Sequence, residues 1–268
     1  MDKSICYLVC IMAKNDFSSE SAQNYEQKCL CVLVLDVSGS MLEIVDNSNV
    51  KYTGETVYMD GKQYNLVTGG ISKIDLVNEG LRGFYEEICE DETTSQRLEL
   101  SIITFNDSVH VIQEPALPEN VTIPKLHCEG ETALADAVNE AIDKVEARKR
   151  WYKETGQPYY RPWIILMTDG VPNKGQDIDS LALRIKNDTA AKRYAFLPVG
   201  VEGADMAILQ HISGSGMDAV KLKGMRFAQF FRWLSASMGA VTKAEEGQSV
   251  NLSAGATGDD GWMERFKI

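Results

Sequence analysis

The sequence predicts an α/β fold, a doubly wound and mostly parallel sheet, and three observations carry that expectation. Cys29 to Val37 (CLCVLVLDV) is a nearly unbroken β-branched and aliphatic run, the pattern of a strand buried on both faces beneath helices. Runs of the same kind recur at Trp163 to Thr168 and Tyr194 to Val201. Segments of helical apolar spacing separate them, the alternation produced by right-handed βαβ crossovers.

In chain order, residues 1–27 read as a flexible leader, polar and aperiodic over 13–27. Within it Ile5 to Met12 is apolar but far short of the ~20 residues that span a bilayer. No basic segment precedes it and no small-x-small cleavage site follows, so it does not read as a signal peptide, and Met12 is an alternative start. The first strand then ends in Asp36-Val37-Ser38-Gly39-Ser40-Met41. About thirty residues follow before the first helix, where a plain α/β turn needs only ~2–6. Inside this 42–72 insertion, Thr56 to Met59 and Gln63 to Val67 flank Asp60-Gly61-Lys62, a hairpin signal. A hairpin there should lie over the carboxyl edge of the sheet, where open α/β folds bind ligands.

Ile74, Leu76, Val77, Leu81, Phe84, Tyr85 and Ile88 give the first helix its apolar stripe. Leu98 to Phe105 and Val109 to Gln113, joined by Asn106-Asp107-Ser108, predict an antiparallel pair and hence one antiparallel edge strand. A second helix is marked by Leu134, Val138, Ala141, Ile142 and Val145; others cover 181–192, 206–212 and 227–238. Ser213-Gly214-Ser215-Gly216 reads as a loop into the last strand. One domain over 28–242 is expected, with a 243–268 tail whose Trp262, Met263, Phe266 and Ile268 fold back on it. The basic run Arg148-Lys149-Arg150, with Lys153, reads as a solvated helix face near a carboxyl end.

Composition narrows the function. The 268 residues carry 27 Lys+Arg against 39 Asp+Glu, a formal charge of −12, which argues against nucleic-acid and anionic-membrane partners. The six cysteines (6, 10, 29, 31, 89 and 128) are scattered, and Cys29-x-Cys31 lacks zinc-knuckle or thioredoxin spacing. They read as free thiols of a reducing, cytoplasmic compartment. His110, His127 and His211 share no ligand spacing, and no P-loop, zincin or dinucleotide motif occurs.

Three short segments could converge at the carboxyl edge: Asp36-x-Ser38-x-Ser40, Gly130-Glu131-Thr132 and Thr168-Asp169-Gly170. They offer two carboxylates and several hydroxyls, with no imidazole. Hard oxygen donors of that kind suit Mg2+ or Mn2+ and disfavour zinc or copper. Each segment alone also has a plainer use. Asp36 to Ser40 could be a self-capped turn, Thr132 a helix N-cap, and Asp169-Gly170 an ordinary turn.

In order and spacing, Asp36, Ser38, Ser40, Thr132 and Asp169 resemble the metal-ion-dependent adhesion site of von Willebrand factor type A domains. The stretch 146–170 and Gly261-Trp262 are similar to the bacterial TerY-like branch, associated with tellurium resistance. The resemblance implies that the three hydroxyls hold a divalent cation directly or nearly so. Asp36 and Asp169 would hold it directly or through water, and a partner's carboxylate would complete the shell. It also implies intracellular work beside protein kinases and PP2C-type phosphatases in stress or defence systems. The 42–72 insertion departs from the family pattern. A non-enzymatic interaction module that takes a carboxylate or phosphoryl group of a partner is therefore expected. A metal-assisted phosphoesterase using Asp36 or Asp169, and a metal-free scaffold, stay open as alternatives.

Overall fold

The computed structural model describes residues 25–59, 62–245, 248, 250, 256 and 261–264. Most of the expected leader, with Cys6, Cys10 and Met12, lies outside the described residues, as do Asp60, Gly61, Phe266 and Ile268. The chain begins with β1 (Cys29–Asp36), followed by β2 (Ile44–Asp46), β3 (Lys51–Met59), β4 (Lys62–Thr68) and β5 (Ile71–Ser72). Next come α1 (Lys73–Glu90), α2 (Glu92–Arg97), β6 (Leu98–Phe105), β7 (Val109–Ala116) and α3 (Leu134–Thr155). The remainder is β8 (Trp163–Thr168), α4 (Ile178–Ala190), β9 (Ala195–Gly200), α5 (Met206–His211), β10 (Val220–Leu222), α6 (Phe227–Lys243) and β11 (Met263–Glu264).

The main sheet has the order β11-β10-β9-β8-β1-β6-β7. Strand β1 pairs in parallel with both β6 and β8, β8 with β9, and β9 with β10. At one edge β7 is antiparallel to β6, as the turn at 106–108 predicts. At the other, two-residue β11 adds a second antiparallel pairing that a single edge strand did not anticipate. It is too short to leave a strand pattern in the sequence. Behind it, Trp262 is buried with its ring centroid 4.9 Å from both Phe230 and Trp233.

Period-two alternation along β1 divides the interior in two. Cys29, Cys31, Leu33 and Leu35 face Val77, Leu81 and Phe84 of α1 and Phe231 and Leu234 of α6. Leu30, Val32 and Val34 face Val138 and Ile142 of α3 and Leu181 and Ile185 of α4. All eight residues of β1 are buried, which is why its sequence shows no polar alternation.

Three element assignments move. Strand β7 continues past Gln113 through Pro115, which an edge position tolerates. Helix α4 begins before Leu181, with Asp177 accepting from the Ser180 N–H as its cap. Six-residue α2 is too short to show periodicity and is instead fixed by Asp91, which accepts from the Thr94 N–H. The basic run also differs from expectation. Arg148 and Lys149 are buried: Arg148 Nε and Nη2 donate to the two carboxylate oxygens of buried Glu99 at 2.8 and 2.7 Å, and Lys149 Nζ donates to Glu146 Oε1 at 2.8 Å.

The insertion forms two small sheets of its own, β2 with β5 and β3 with β4. The first is a neck, pairing Ile44 with Ser72 and Asp46 with Ile71. The second is the hairpin, with Tyr52 and Tyr58 about three quarters exposed. The neck closes directly onto α1, whose Ser72 and Asp75 make a reciprocal capping box.

Candidate metal centre

The site lies where β1 and β8 end. Strand β1 delivers Asp36, 1% exposed, and the chain turns into a short 3-10 segment, Gly39–Leu42. Asp36 Oδ1 accepts from the Ser38 N–H at 2.8 Å. Its Oδ2 accepts from the hydroxyl of Thr168, at the end of β8. The turn therefore places Ser38 and Ser40 side by side, Oγ to Oγ 3.1 Å. Ser40 Oγ then donates to Asp169 Oδ1 at 2.6 Å across 129 residues of chain.

The third segment is sewn to the first two by its backbone. Gly39 N–H donates to Gly130 O at 2.9 Å, Glu129 N–H to Val37 O at 2.9 Å, and Ala133 N–H to Asn106 O at 2.7 Å. Gly130 makes this possible with φ of +72° and a close approach to Asp107, whose Oδ2 would lie 2.1 Å from any added Cβ. Asn173 locks the loop after β8 onto Thr132. Its Oδ1 accepts from the Thr132 N–H at 2.8 Å and its own N–H donates to Thr132 O at 3.0 Å.

The Thr132 side chain is thereby committed to the site. It does not cap α3, whose N-cap position is Ala133 with no side-chain cap. Gln176 performs that task, its Oε1 accepting from the Ala135 and Asp136 N–H groups at 2.6 and 3.2 Å. A Cβ added at Gly170 would lie 2.7 Å from Thr132 Oγ1 and 3.2 Å from Asp36 Oδ2. Those two oxygens thus converge on one face of the 168–170 turn, which only a glycine leaves open. All five residues singled out from the sequence, Asp36, Ser38, Ser40, Thr132 and Asp169, come together at this edge.

Lys73 was not singled out. It opens α1, is 2% exposed, and directs its ammonium at Asp169 Oδ2 (2.8 Å), Glu43 Oε2 (2.7 Å) and Glu202 O (2.9 Å). A cation in the first turn of a helix opposes the macrodipole, and that misplacement after a long insertion was the signal available. Asn173 and Gln176 gave less signal, since loop amides bond backbone groups at many sites.

Charge is densely packed here. Burial pushes the Asp36 carboxyl up to about 6 against the hydrogen bonds from Ser38 and Thr168, and the Asp169 charge adds to the rise. Burial disfavours the Lys73 ammonium, yet the hydrogen bonds to Asp169 and Glu43 outweigh it and raise its pKa. Burial, then the charges of Asp36, Asp169 and Asp75, lift the nearby Cys128 thiol to about 12, so it stays protonated. The histidines take no part in these contacts; His110 meets Ser108 and His211 meets Asp179.

A family model described as von Willebrand factor type A domain matches residues 79–229. Comparison with curated protein sequences finds no significant match. Among solved structures, the PilB minor pilin from Streptococcus sanguinis aligns with a TM-score of 0.51 at 15% identity. The alignment covers 78% of this chain and 61% of that one, so this chain spans about three fifths of the pilin's length. An aspartate-to-alanine mutant of the same pilin gives 0.55 at 14% identity, with the same coverage. Proximal thread matrix protein 1 from the mussel byssus, described with a zinc occupied MIDAS motif, gives 0.46 at 17% identity over 82% of this chain and 46% of that one. The pilin likeness bears on the fold.

Proposed function

The chain belongs to the von Willebrand factor type A domain family, and from that premise we propose that it is a non-enzymatic, metal-dependent interaction module. Its ligand is an acidic group, a carboxylate or phosphoryl, on a partner protein. The observation that carries the reading is the convergence of Ser38, Ser40 and Thr132 hydroxyls with Asp36 and Asp169 at one buried sheet edge. The donor set is entirely oxygen, and Thr132 Oγ1 and Asp36 Oδ2 converge on the Gly170 face, which no side chain occupies. Such a set fits Mg2+ or Mn2+.

Ser38, Ser40 and Thr132 are assigned as neutral ligands, with Asp36 and Asp169 as charged ones. The bound cation supplies Lewis acidity toward an anionic oxygen. Thr168 holds Asp36 from behind, and Asn173 holds the Thr132 loop, so both are already positioned, while the Ser40 hydroxyl would exchange its bond to Asp169 for the cation. Neutral hydroxyls do not cancel positive charge, and this supports attraction of an anion rather than saturation by the protein. Specificity is assigned to the insertion, whose neck ends at the site and whose hairpin exposes Tyr52 and Tyr58.

Placement in the TerY-like branch, within a stress or defence system that includes a kinase or PP2C-type phosphatase, is the finer part of the proposal. It is supported by the resemblance of 146–170 and by Gly261-Trp262. A cytoplasmic location is supported by the four free cysteines among the described residues. No helix among the described residues is long and apolar enough to cross a membrane.

Isothermal titration with Mg2+ and with Mn2+, alongside an assay of a generic phosphoester, tests the reading. The chain should bind one cation, lose it in the Asp36→Ala/Ser38→Ala double variant, and hydrolyse nothing. Absence of binding would overturn the metal site, and metal-dependent turnover lost in the same variant would make the protein a phosphoesterase.

A further inference from the structure

Lys73 sits where two preferences oppose it. It is a charged side chain 2% exposed, and it occupies the first turn of α1, at the positive end of the helix dipole. What compensates is complete satisfaction of the ammonium. Its three hydrogens face Asp169 Oδ2, Glu43 Oε2 and the Glu202 carbonyl, all between 2.7 and 2.9 Å.

The contact with Asp169 is one-sided. Oδ2 faces Lys73, while Oδ1 accepts from Ser40 and stays on the hydroxyl side. We propose that Lys73 is a positioning residue that supplies the site with a built-in positive charge, orienting Asp169 and moderating the hold of the cage on a divalent cation. This rests on the metal-site reading above. With Lys73 in place, Asp169 is already half matched and Asp36 is the only carboxylate of the cage without an ammonium against it. A bound cation then keeps more of its charge for the partner's anion.

The insertion participates as well. Lys73 N–H donates to Glu43 O at 3.0 Å, and the β2–β5 neck joins the residues beside them. The two ends of the 42–72 segment therefore bring Glu43 and Lys73 to the site together. Glu43 is largely exposed, so it shares the ammonium with Asp169 from the solvent side. Movement of the neck would alter that share, which links the hairpin to the cage.

At an effective dielectric constant of about 20, unit charges some 4 Å apart change an equilibrium constant by more than a hundredfold before relaxation. Removing the Lys73 charge should therefore tighten divalent binding by at least about tenfold after the site relaxes. A merely structural lysine would do the opposite, since its loss would loosen the site.

The experiment is isothermal titration of the full chain with Mg2+ and Mn2+ for wild type, Lys73→Met, Lys73→Gln and Lys73→Arg. Met and Gln should bind at least tenfold more tightly, and Arg should stay within about threefold of wild type. Thermal unfolding in chelator and in excess Mg2+ gives a second readout. The Met and Gln variants should gain more from Mg2+ than wild type does, a measurement that holds even if the metal-free variants are only partly folded. Equal or weaker binding by folded Met and Gln variants, with no larger Mg2+ gain, would overturn the role of Lys73 and leave the metal site standing. No binding by any of the four proteins would overturn both.

Discussion

The two ends of the central strands carry buried charge in opposite ways. At the amino end, Glu99 meets Arg148 through both carboxylate oxygens, and Tyr152 Oη donates to Oε2 at 2.5 Å. The Arg148 guanidinium also lies 4.1 Å from the Trp151 ring centroid. One carboxylate there is matched by a bidentate cation and a phenol. At the carboxyl end, one of two buried carboxylates, Asp169, shares a lysine with Glu43, while Asp36 meets the Ser38 N–H and the Thr168 hydroxyl, and three neutral hydroxyls stand beside them. The first arrangement is a pin. The second keeps negative charge and oxygen donors in reserve, and such a reserve is what a ligand can use. Burial of charge alone does not separate structure from function here; the balance of partners does.

The largest effect should come from opening the pin. Arg148→Met leaves buried Glu99 without its bidentate partner, and should cost roughly 3–5 kcal/mol in denaturant unfolding. A loss below about 1 kcal/mol would mean that the amino end is not the structural one. At the other end, Asp36→Asn should do the reverse. Its charge is disfavoured by burial, so in chelator the variant should match or exceed wild-type stability by about 1 kcal/mol while losing divalent binding. Strong destabilisation in chelator would show that the carboxyl end is also a pin.

Gly170→Ala probes shape rather than charge. The added methyl group meets Thr132 Oγ1 and Asp36 Oδ2, so divalent affinity measured by titration should fall at least tenfold at a stability cost of about 1–3 kcal/mol. Unchanged affinity would remove Thr132 from the site. The smallest effect is expected from the insertion. Among the described residues, strands β3 and β4 pair with each other alone, and the neck closes below them. Deleting 52–68 with a short Gly-Ser bridge should leave the melting temperature and metal affinity near wild type; loss of fold would make the hairpin part of the core.

How far the sequence could be read follows the same division. The buried parallel strands were legible because β1, β8 and β9 have no solvated face, so their apolar runs are unbroken. The five site residues were legible because each stands at a strand or helix end in a fixed order. Arg148 was misread as solvated because a helix-end cation next to Lys149 and Arg150 looks like an exposed patch. Only the distant Glu99, on a different strand, reveals that it is buried. Lys73 escaped for the same reason, its partners lying 30 residues upstream and 96 and 129 residues downstream. Thr132 admitted two readings until Ala133 and Gln176 were seen to take the helix end. Local pattern registers burial and chain turns, whereas the pairing of charges depends on the folded topology.

The most direct measurement is a crystal of the chain grown with Mn2+, with the ion located by its anomalous scattering. The account predicts a single strong peak enclosed by Ser38, Ser40, Thr132, Asp36 and Asp169, with Lys73 still on the far oxygen of Asp169. A map without a peak there, and with Ser40 still bonded to both Ser38 and Asp169, would contradict it.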